Sequence, residues 1–185
     1  MGPVEAVAVA TGVAYILLAI RQHRACWIAG GLSTALYVAV FQQAGLPLQA
    51  VLQLLYVALS VYGWFAWKPG GDAAPRPGRW PLRMHLLALA AVGVATWASV
   101  LALGRFPLSA APLADSLGTW ASVVATWLLA RRIVDTWLWW MAVDTGLALL
   151  FASQGLPGTA ALYVAYAVLA VAGWRSWRRA MPAPA

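Results

Sequence analysis

Apolar stretches of 17 to 21 residues recur along the chain, separated by short segments that hold most of its charges and prolines. Each stretch is long enough to cross the roughly 30 Å hydrocarbon core of a bilayer as a helix. They lie at residues 4–20, 26–44, 47–67, 84–104, 112–130, 136–153 and 157–174. Continuous runs such as Leu86–Val94 lack the period-two alternation of a membrane barrel. Because lipid admits only helices or closed barrels, the pattern predicts an all-α polytopic membrane protein with seven transmembrane helices.

The composition supports this interpretation. Of the 185 residues, 63% are hydrophobic and 9% are charged, with a mean hydropathy of +0.77. So few charges cannot cover a soluble enzyme, and so many apolar residues exclude a disordered chain. The single cysteine, Cys26, cannot form an internal disulfide. We find neither a Cys/His metal cluster nor a catalytic motif, so we expect no metal, no cofactor and no enzymatic activity.

The basic residues gather on one side of the predicted bundle. With the N-terminus outside, eleven of twelve fall in inner loops and the tail, and only Arg105 falls outside. This positive-inside distribution predicts an outer N-terminus and a cytoplasmic C-terminus. The net charge of +7 is therefore an orientation signal, and we expect no nucleic-acid partner.

The two ends of the chain align at an offset of 110 residues without a gap. Residues 5–67 and 115–177 share 16 identities in 63 positions. Gly45-Leu46-Pro47 matches Gly155-Leu156-Pro157, and Gly63-Trp64 matches Gly173-Trp174. Apolar composition alone does not bring such motifs into register, so the sequence predicts an internal repeat.

The repeat predicts a 3+1+3 plan. Three helices form each repeat, and because three is odd, a linker helix is needed to make the two repeats run parallel. The predicted segments are the first repeat (1–67), an inner loop (68–83), a linker helix with an outer loop (84–111), the second repeat (112–177) and a cytoplasmic tail (178–185). Transporters with such repeats bind substrate near the bilayer midplane between them. A duplicated scaffold without a pathway is the alternative.

Asp144 is the one acidic residue deep within a predicted span. It lies eight residues from the start of the sixth span, or about 12 Å along a helix. Burying it costs about 2.5–3.5 kcal/mol, so it is expected to face a cavity or a partner. Trp137 and Trp140 share its helix face, and indole faces with a carboxylate suit a flat organic cation. The alternative is an Asp144 that only hydrogen-bonds to a neighbouring helix.

Three further polar side chains at similar depth are candidate substrate contacts. Gln53 is the most informative, since a buried amide seeks up to four hydrogen bonds. Thr34 is the repeat counterpart of Asp144, and Thr126 lies in the fifth span. Both threonines can instead bond to their own helix, which would make them packing residues.

The remaining aromatic and histidine side chains are assigned to the membrane interface or to helix packing. We expect an interfacial belt of tryptophans at the span ends, formed by Trp27, Trp67, Trp174 and Trp177. Trp139 points away from Asp144, toward lipid or another helix. His23 and His85 lie near the inner surface, where we expect them to be solvated or to contact lipid headgroups rather than to bind a metal.

The segment RRIVDTWLWWMAVD, residues 131–144, resembles the PnuC family of bacterial vitamin transporters, which carry a W-x-x-W-x-x-V-N type motif in their sixth helix. Gln53 through Tyr62-Gly63-Trp64 is similar to that family's third helix, and Asp115-Ser116 to its fifth. The resemblance implies a SWEET-like 3+1+3 fold in the bacterial inner membrane. It implies facilitated diffusion of nicotinamide riboside, trapped inside by phosphorylation, with Trp137, Trp140 and Asp144 at the substrate.

This chain departs from the family motif because Asp144 replaces its asparagine. A negative charge favours a cationic vitamin, which both nicotinamide riboside and thiamin are, over neutral riboflavin. We expect nicotinamide riboside first and thiamin second, with a sugar or metabolite carrier or a non-transporting structural membrane protein as alternatives. Proton coupling through Asp144 and assembly into a homo-oligomer are left open. The expected partners are the lipid bilayer and a small cationic vitamin.

Overall fold

The computed structural model describes residues 3–43, 47–68, 77–102, 110–153, 155 and 157–181. Within these ranges the chain forms seven helices and no strand. The helices are α1 (Pro3–Ile20), α2 (Cys26–Gln43), α3 (Pro47–Ala66), α4 (Leu82–Ala102), α5 (Ala110–Ala130), α6 (Thr136–Ser153) and α7 (Pro157–Arg179). The all-helical prediction is therefore confirmed.

The helix bounds follow the hydrophobic pattern closely, with one exception. Pro3, Pro47 and Pro157 each occupy the first helical position, where a missing N–H group costs nothing. The predicted seventh span stopped at residue 174, before Arg175, but α7 continues to Arg179. An arginine ends a lipid-crossing stretch without ending the helix, because a helix tolerates charge wherever its side chains reach water.

The apolar character of the helices suits a bilayer. α4 is 21 residues long, and its most apolar 18-residue window has a mean hydropathy of 1.8 and is only 22% buried within the protein. This helix meets the length and composition of a membrane span by itself. Shorter apolar helical stretches cover 6–20, 26–40, 52–66 and 116–130.

Several sequence predictions fall on residues outside the described ranges. They concern most of the inner loop, the outer loop with Arg105, part of both Gly-Leu-Pro turns and the end of the tail. The residues are 45–46, 69–76, 103–109, 156 and 182–185, together with the side chains of Glu5 and Asp115.

The chain divides into two compact units. The first comprises residues 1–77, 129–132 and 176–185, so it holds α1 to α3 and the adjoining ends of α5 and α7. The second comprises residues 78–128 and 133–175, and it holds α4, most of α5, α6 and most of α7.

A tryptophan cluster made of Trp27, Trp67 and Trp177 forms the core at one end of the first unit. Their exposed fractions are 2%, 2% and 0%. The Trp67 ring lies 5.5 Å from Trp27, edge to face, and 5.9 Å from Trp177, centroid to centroid. The prediction of an interfacial belt is therefore wrong for these three residues, because their rings pack against one another rather than at lipid headgroups. The fourth belt candidate, Trp174, is half-buried.

Two indoles of the tryptophan cluster hydrogen-bond to the ends of helices. Trp67 Nε1 donates to the Ala130 carbonyl at the end of α5, and Trp177 Nε1 donates to the Ala19 carbonyl at the end of α1, each over 3.0 Å. The last four carbonyls of a helix have no partner within that helix. The indoles therefore satisfy backbone groups that would be costly to leave bare in an apolar setting.

The turns after α1 and α5 have the same backbone geometry. Gln22 and Arg132 adopt positive φ angles of 55° and 54°. In each turn the next residue donates five residues back, His23 to Leu18 and Ile133 to Leu128, over 2.9 Å. This is a Schellman ending, in which one left-handed residue stops the helix and satisfies its carbonyls.

The second unit has a small core drawn from three helices. Val92 of α4, Ala121 of α5 and Val143 of α6 are buried together. Trp120 Nε1 donates to Ser99 Oγ over 2.9 Å and so ties α5 to α4. This core fixes α6, which carries three of the six predicted substrate contacts.

The indole bonds can be tested by replacing Trp67 with Phe. Trp67→Phe keeps an aromatic ring but leaves the buried Ala130 carbonyl without its donor, so we expect the free energy of unfolding to fall. The matched control is Trp27→Phe in the same cluster, since Trp27 Nε1 is buried without a hydrogen-bond partner among the described residues. Both changes remove ring volume, so their difference isolates the hydrogen bond.

We expect Trp67→Phe to cost about 1–3 kcal/mol more than Trp27→Phe, the cost of an unsatisfied buried group. Chemical unfolding in detergent, followed by circular dichroism, measures both. Equal losses would show that the bond to Ala130 does not stabilise the fold.

Candidate functional site

The start of α6 is anchored to α5 and to the segment before α4. Thr136, fully buried, donates from Oγ1 to the Ala125 carbonyl over 2.7 Å. The backbone of Val134 donates to the Gly78 carbonyl over 2.8 Å. These bonds set the position from which α6 projects its side chains.

Trp137 packs into a space that exists because residue 173 of α7 is glycine. A Cβ atom at Gly173 would lie 2.5 Å from Cδ2 of the Trp137 ring. Trp137 is only 3% exposed, so little of its surface is open to a ligand. The same arrangement occurs in the first unit, where a Cβ at Gly63 would overlap the ring of Trp27.

Trp140 and Asp144 follow on the same face of α6. Trp140 is half-buried and packs against the core of Val92, Ala121 and Val143. Asp144 is 4% exposed, and among the described residues none forms an ion pair or hydrogen bond with its carboxyl group. An acidic group buried without a protein partner is costly, and in a membrane protein it marks a functional site by default.

The other three predicted contacts differ in whether their polar atoms already form hydrogen bonds within the protein. Thr126 donates to the Ser122 carbonyl over 2.8 Å, and Thr34 lies 3.1 Å from the Gly30 carbonyl, both within their own helices. Their hydroxyl protons are therefore used, as the packing interpretation expects. Gln53 of α3 is half-buried, and no described residue hydrogen-bonds to its amide. Thr126 shares the second unit with Asp144, whereas Thr34 and Gln53 belong to the first.

A polar network that the sequence did not predict surrounds Asp135, the residue before α6. Asp135 is 5% exposed and accepts a hydrogen bond from the backbone of Trp80 over 3.0 Å. His85 Nε2 lies 3.3 Å from its Oδ2, and Arg79 Nε lies 4.0 Å from its Oδ1. The expectation of a solvated His85 is therefore wrong, because Asp135 and Trp139 hold its ring half-buried.

The network fixes the tautomer of neutral His85. Trp139 Nε1 lies 3.2 Å from His85 Nδ1, and an indole N–H can only donate. His85 Nδ1 must accept that bond, so the proton sits on Nε2 and is donated to Asp135. Trp139 thus meets another helix, one of the two outcomes expected for it. The sequence did contain a signal, the basic and aromatic residues Arg79 and Trp80 before α4. It did not show that the fold places Asp135 beside them.

A cavity of about 480 Å³ lies between α4, α5 and α6 of the second unit. Its lining includes His85, Val92, Trp139 and Gly146, and is otherwise apolar. Trp137, Trp140 and Asp144 are not among its lining residues. This cavity is therefore distinct from the predicted substrate contacts on α6.

Comparison with known proteins identifies the family. The family model described as nicotinamide mononucleotide transporter matches residues 2–179. The nicotinamide riboside transporter PnuC of Escherichia coli K12 is 26% identical over 94% of this chain and 84% of its own length. The riboflavin/roseoflavin transporter RibM of Streptomyces davaonensis is 35% identical over 68% of this chain and 61% of its own.

A solved structure agrees with these relatives. The crystal structure of the vitamin B3 transporter PnuC superimposes with a TM-score of 0.72 at 26% identity, covering 95% of this chain and 80% of that one. This neighbour and the named relatives are transporters of small vitamin-like substrates, not enzymes. The chain therefore belongs to the PnuC family of membrane transporters.

Proposed function

We propose that this protein carries nicotinamide riboside into the cell across the bacterial inner membrane by facilitated diffusion, with phosphorylation inside the cell trapping the substrate. The observation that carries the proposal is Asp144, a carboxyl group buried in α6 without an ion pair or hydrogen bond from any described residue. A cationic ring would supply the missing counter-charge only while substrate is bound.

The aromatic surroundings of Asp144 support a flat cation. Trp140 lies one turn before Asp144 on the same face, and its half-buried ring offers a face for cation–π attraction. Trp137 lies on the far side of Trp140 from Asp144 and is held by Gly173, so its role is to keep the face rigid. Gln53, with its unused amide, is a candidate donor and acceptor for substrate hydroxyls. Thr34 and Thr126 contribute through packing, since their protons are already bound.

Riboflavin is the competing vitamin, because RibM is a riboflavin/roseoflavin transporter and shares 35% identity with this chain. A neutral isoalloxazine ring leaves a charged Asp144 without a counter-charge. Thiamin is cationic and would satisfy Asp144 as nicotinamide riboside does, so it is the second candidate.

We also propose the 3+1+3 parallel repeat, with residues 1–67 and 112–177 as the repeats, 84–111 as linker helix and outer loop, 68–83 as inner loop and 178–185 as tail. The two Schellman turns support it, since Gln22 and Arg132 are 110 residues apart. The two tryptophan–glycine contacts support it as well, since Trp27–Gly63 and Trp137–Gly173 obey the same offset. The distribution of basic residues supports an outer N-terminus and a cytoplasmic C-terminus.

Replacing Asp144 tests the substrate assignment. We expect Asp144→Ala to weaken binding of nicotinamide riboside about ten- to a hundredfold, because a contact with a charged group contributes about 1.5–3 kcal/mol. Calorimetric titration of the purified protein with nicotinamide riboside, thiamin and riboflavin measures this.

The neutral vitamin is the internal control, and its affinity should change little in Asp144→Ala. Unchanged affinity for every cationic vitamin would remove Asp144 from the substrate site. Tighter binding of riboflavin than of either cation to the unaltered protein would overturn the substrate assignment.

Replacing Gly173 tests whether the face of α6 that carries Trp137, Trp140 and Asp144 must be held in place. A methyl group in Gly173→Ala meets the buried Trp137 ring, and overpacking of this kind costs about 1–3 kcal/mol. We expect lower stability and slower uptake of nicotinamide riboside into proteoliposomes. The matched control is Gly93→Ala in α4, where a Cβ meets nothing within 4 Å. If Gly173→Ala behaves like Gly93→Ala, Trp137 does not need this glycine.

Facilitated diffusion is tested by counterflow. Proteoliposomes loaded with unlabelled nicotinamide riboside, with equal pH and ions on both sides, should accumulate labelled substrate transiently. Counterflow that appears only with an imposed pH gradient would show proton coupling and contradict passive transport.

A further inference from the structure

The cavity between α4, α5 and α6 is apolar and opens to the outer surface of the helices. Leu89, Leu117 and Leu138 line it and are 56%, 48% and 44% exposed, one from each helix. From His85 to Val92 it follows seven residues of α4, or about 10 Å of helix. Gly146 leaves room on the α6 side, since a Cβ there would meet nothing within 4 Å.

The cavity offers almost nothing to a hydroxylated vitamin. His85 is the one ionisable side chain in its lining, and both ring nitrogens are engaged, Nδ1 by Trp139 and Nε2 by Asp135. A ribose inside the cavity would lose its hydrogen bonds to water and find few replacements. The lining therefore selects a hydrocarbon chain over a polar substrate.

The end of the cavity at His85 is basic. Arg79 is 51% exposed and lies beside Asp135, and Arg83 is exposed in the first turn of α4. These two arginines and the single carboxylate of Asp135 leave an excess of positive charge next to an apolar cavity. Basic pockets between transmembrane helices bind anionic lipid headgroups.

We propose that this cavity is a binding site for one anionic phospholipid, with an acyl chain lying between α4, α5 and α6 and the phosphate near Arg79 and Arg83. The acyl chain covers apolar surface of three helices that would otherwise contact the more mobile lipid of the bilayer. The phosphate adds a counter-ion for Arg83 and for Arg79, which lies 4.0 Å from the Asp135 carboxylate. Asp144 does not line this cavity, so the lipid and the vitamin are assigned to different residues.

Lipid retention measured by native mass spectrometry tests the acyl-chain site. Purified protein is titrated with dioleoyl phosphatidylglycerol and with dioleoyl phosphatidylcholine, which have the same chains. We expect phosphatidylglycerol to bind with one-to-one stoichiometry and Gly146→Leu, which fills the cavity, to weaken it at least tenfold. The matched control is Gly93→Leu on α4, which also adds a leucine into open space but away from the lining. Ala142→Leu supplies a second, independent obstruction if Gly146→Leu does not fold.

The headgroup is tested without touching the helix packing. The double variant Arg79→Gln, Arg83→Gln should lose the preference for phosphatidylglycerol over phosphatidylcholine by about thirtyfold, since each basic group near a membrane surface contributes a factor of about five. Arg175→Gln, an exposed arginine of α7, removes charge elsewhere and should leave the preference unchanged.

Three results would overturn the proposal. The first is unchanged retention of phosphatidylglycerol in Gly146→Leu or Ala142→Leu. The second is a lipid preference that survives loss of both arginines. The third is evidence that something other than lipid fills the cavity. The cavity-filling variants would then retain lipid as before but lose nicotinamide riboside binding, or lose a dimer detected by native mass spectrometry. Because lipid and vitamin are measured separately, failure here leaves the assignment of Asp144 untouched.

Discussion

The structure depends on large indole rings packed where a neighbouring helix has no side chain. Trp27 lies on Gly63 in the first unit, and Trp137 lies on Gly173 in the second. A ring against a bare backbone brings two helices close and fixes the rotation of the helix that carries it. In α6 that rotation decides where Trp140 and Asp144 point, so a glycine on α7 controls the orientation of these two proposed substrate contacts.

Two carboxylates, Asp135 just before α6 and Asp144 within it, differ in their contacts with the rest of the protein. Asp135 has the backbone of Trp80, the ring of His85 and the guanidinium of Arg79 around it. Its charge is used in holding α4 to α6. Asp144 lies nine residues further on with no such partners among the described residues. A group that remains unsatisfied in the protein alone is the one available to a substrate.

Most of the fold could be predicted from hydrophobic length alone, because a bilayer imposes the same spacing on every span. The role of individual tryptophans could not, since an indole near a helix end meets either a headgroup or a backbone carbonyl with the same N–H. Trp67 and Trp177 take the carbonyls of Ala130 and Ala19, which are remote in sequence. The His85–Asp135 contact was equally hidden, since 50 residues separate its members. The shared face of Trp137, Trp140 and Asp144 could be predicted from the sequence, because their spacing matches the period of a helix.

The most direct test of the account is an experimental structure of the protein with nicotinamide riboside bound. We expect the pyridinium ring to lie against the Asp144 carboxylate and the Trp140 indole, within the roughly 6 Å of a cation–π contact. Density for the ring elsewhere, with Asp144 still unpartnered or bonded to another helix, would contradict it.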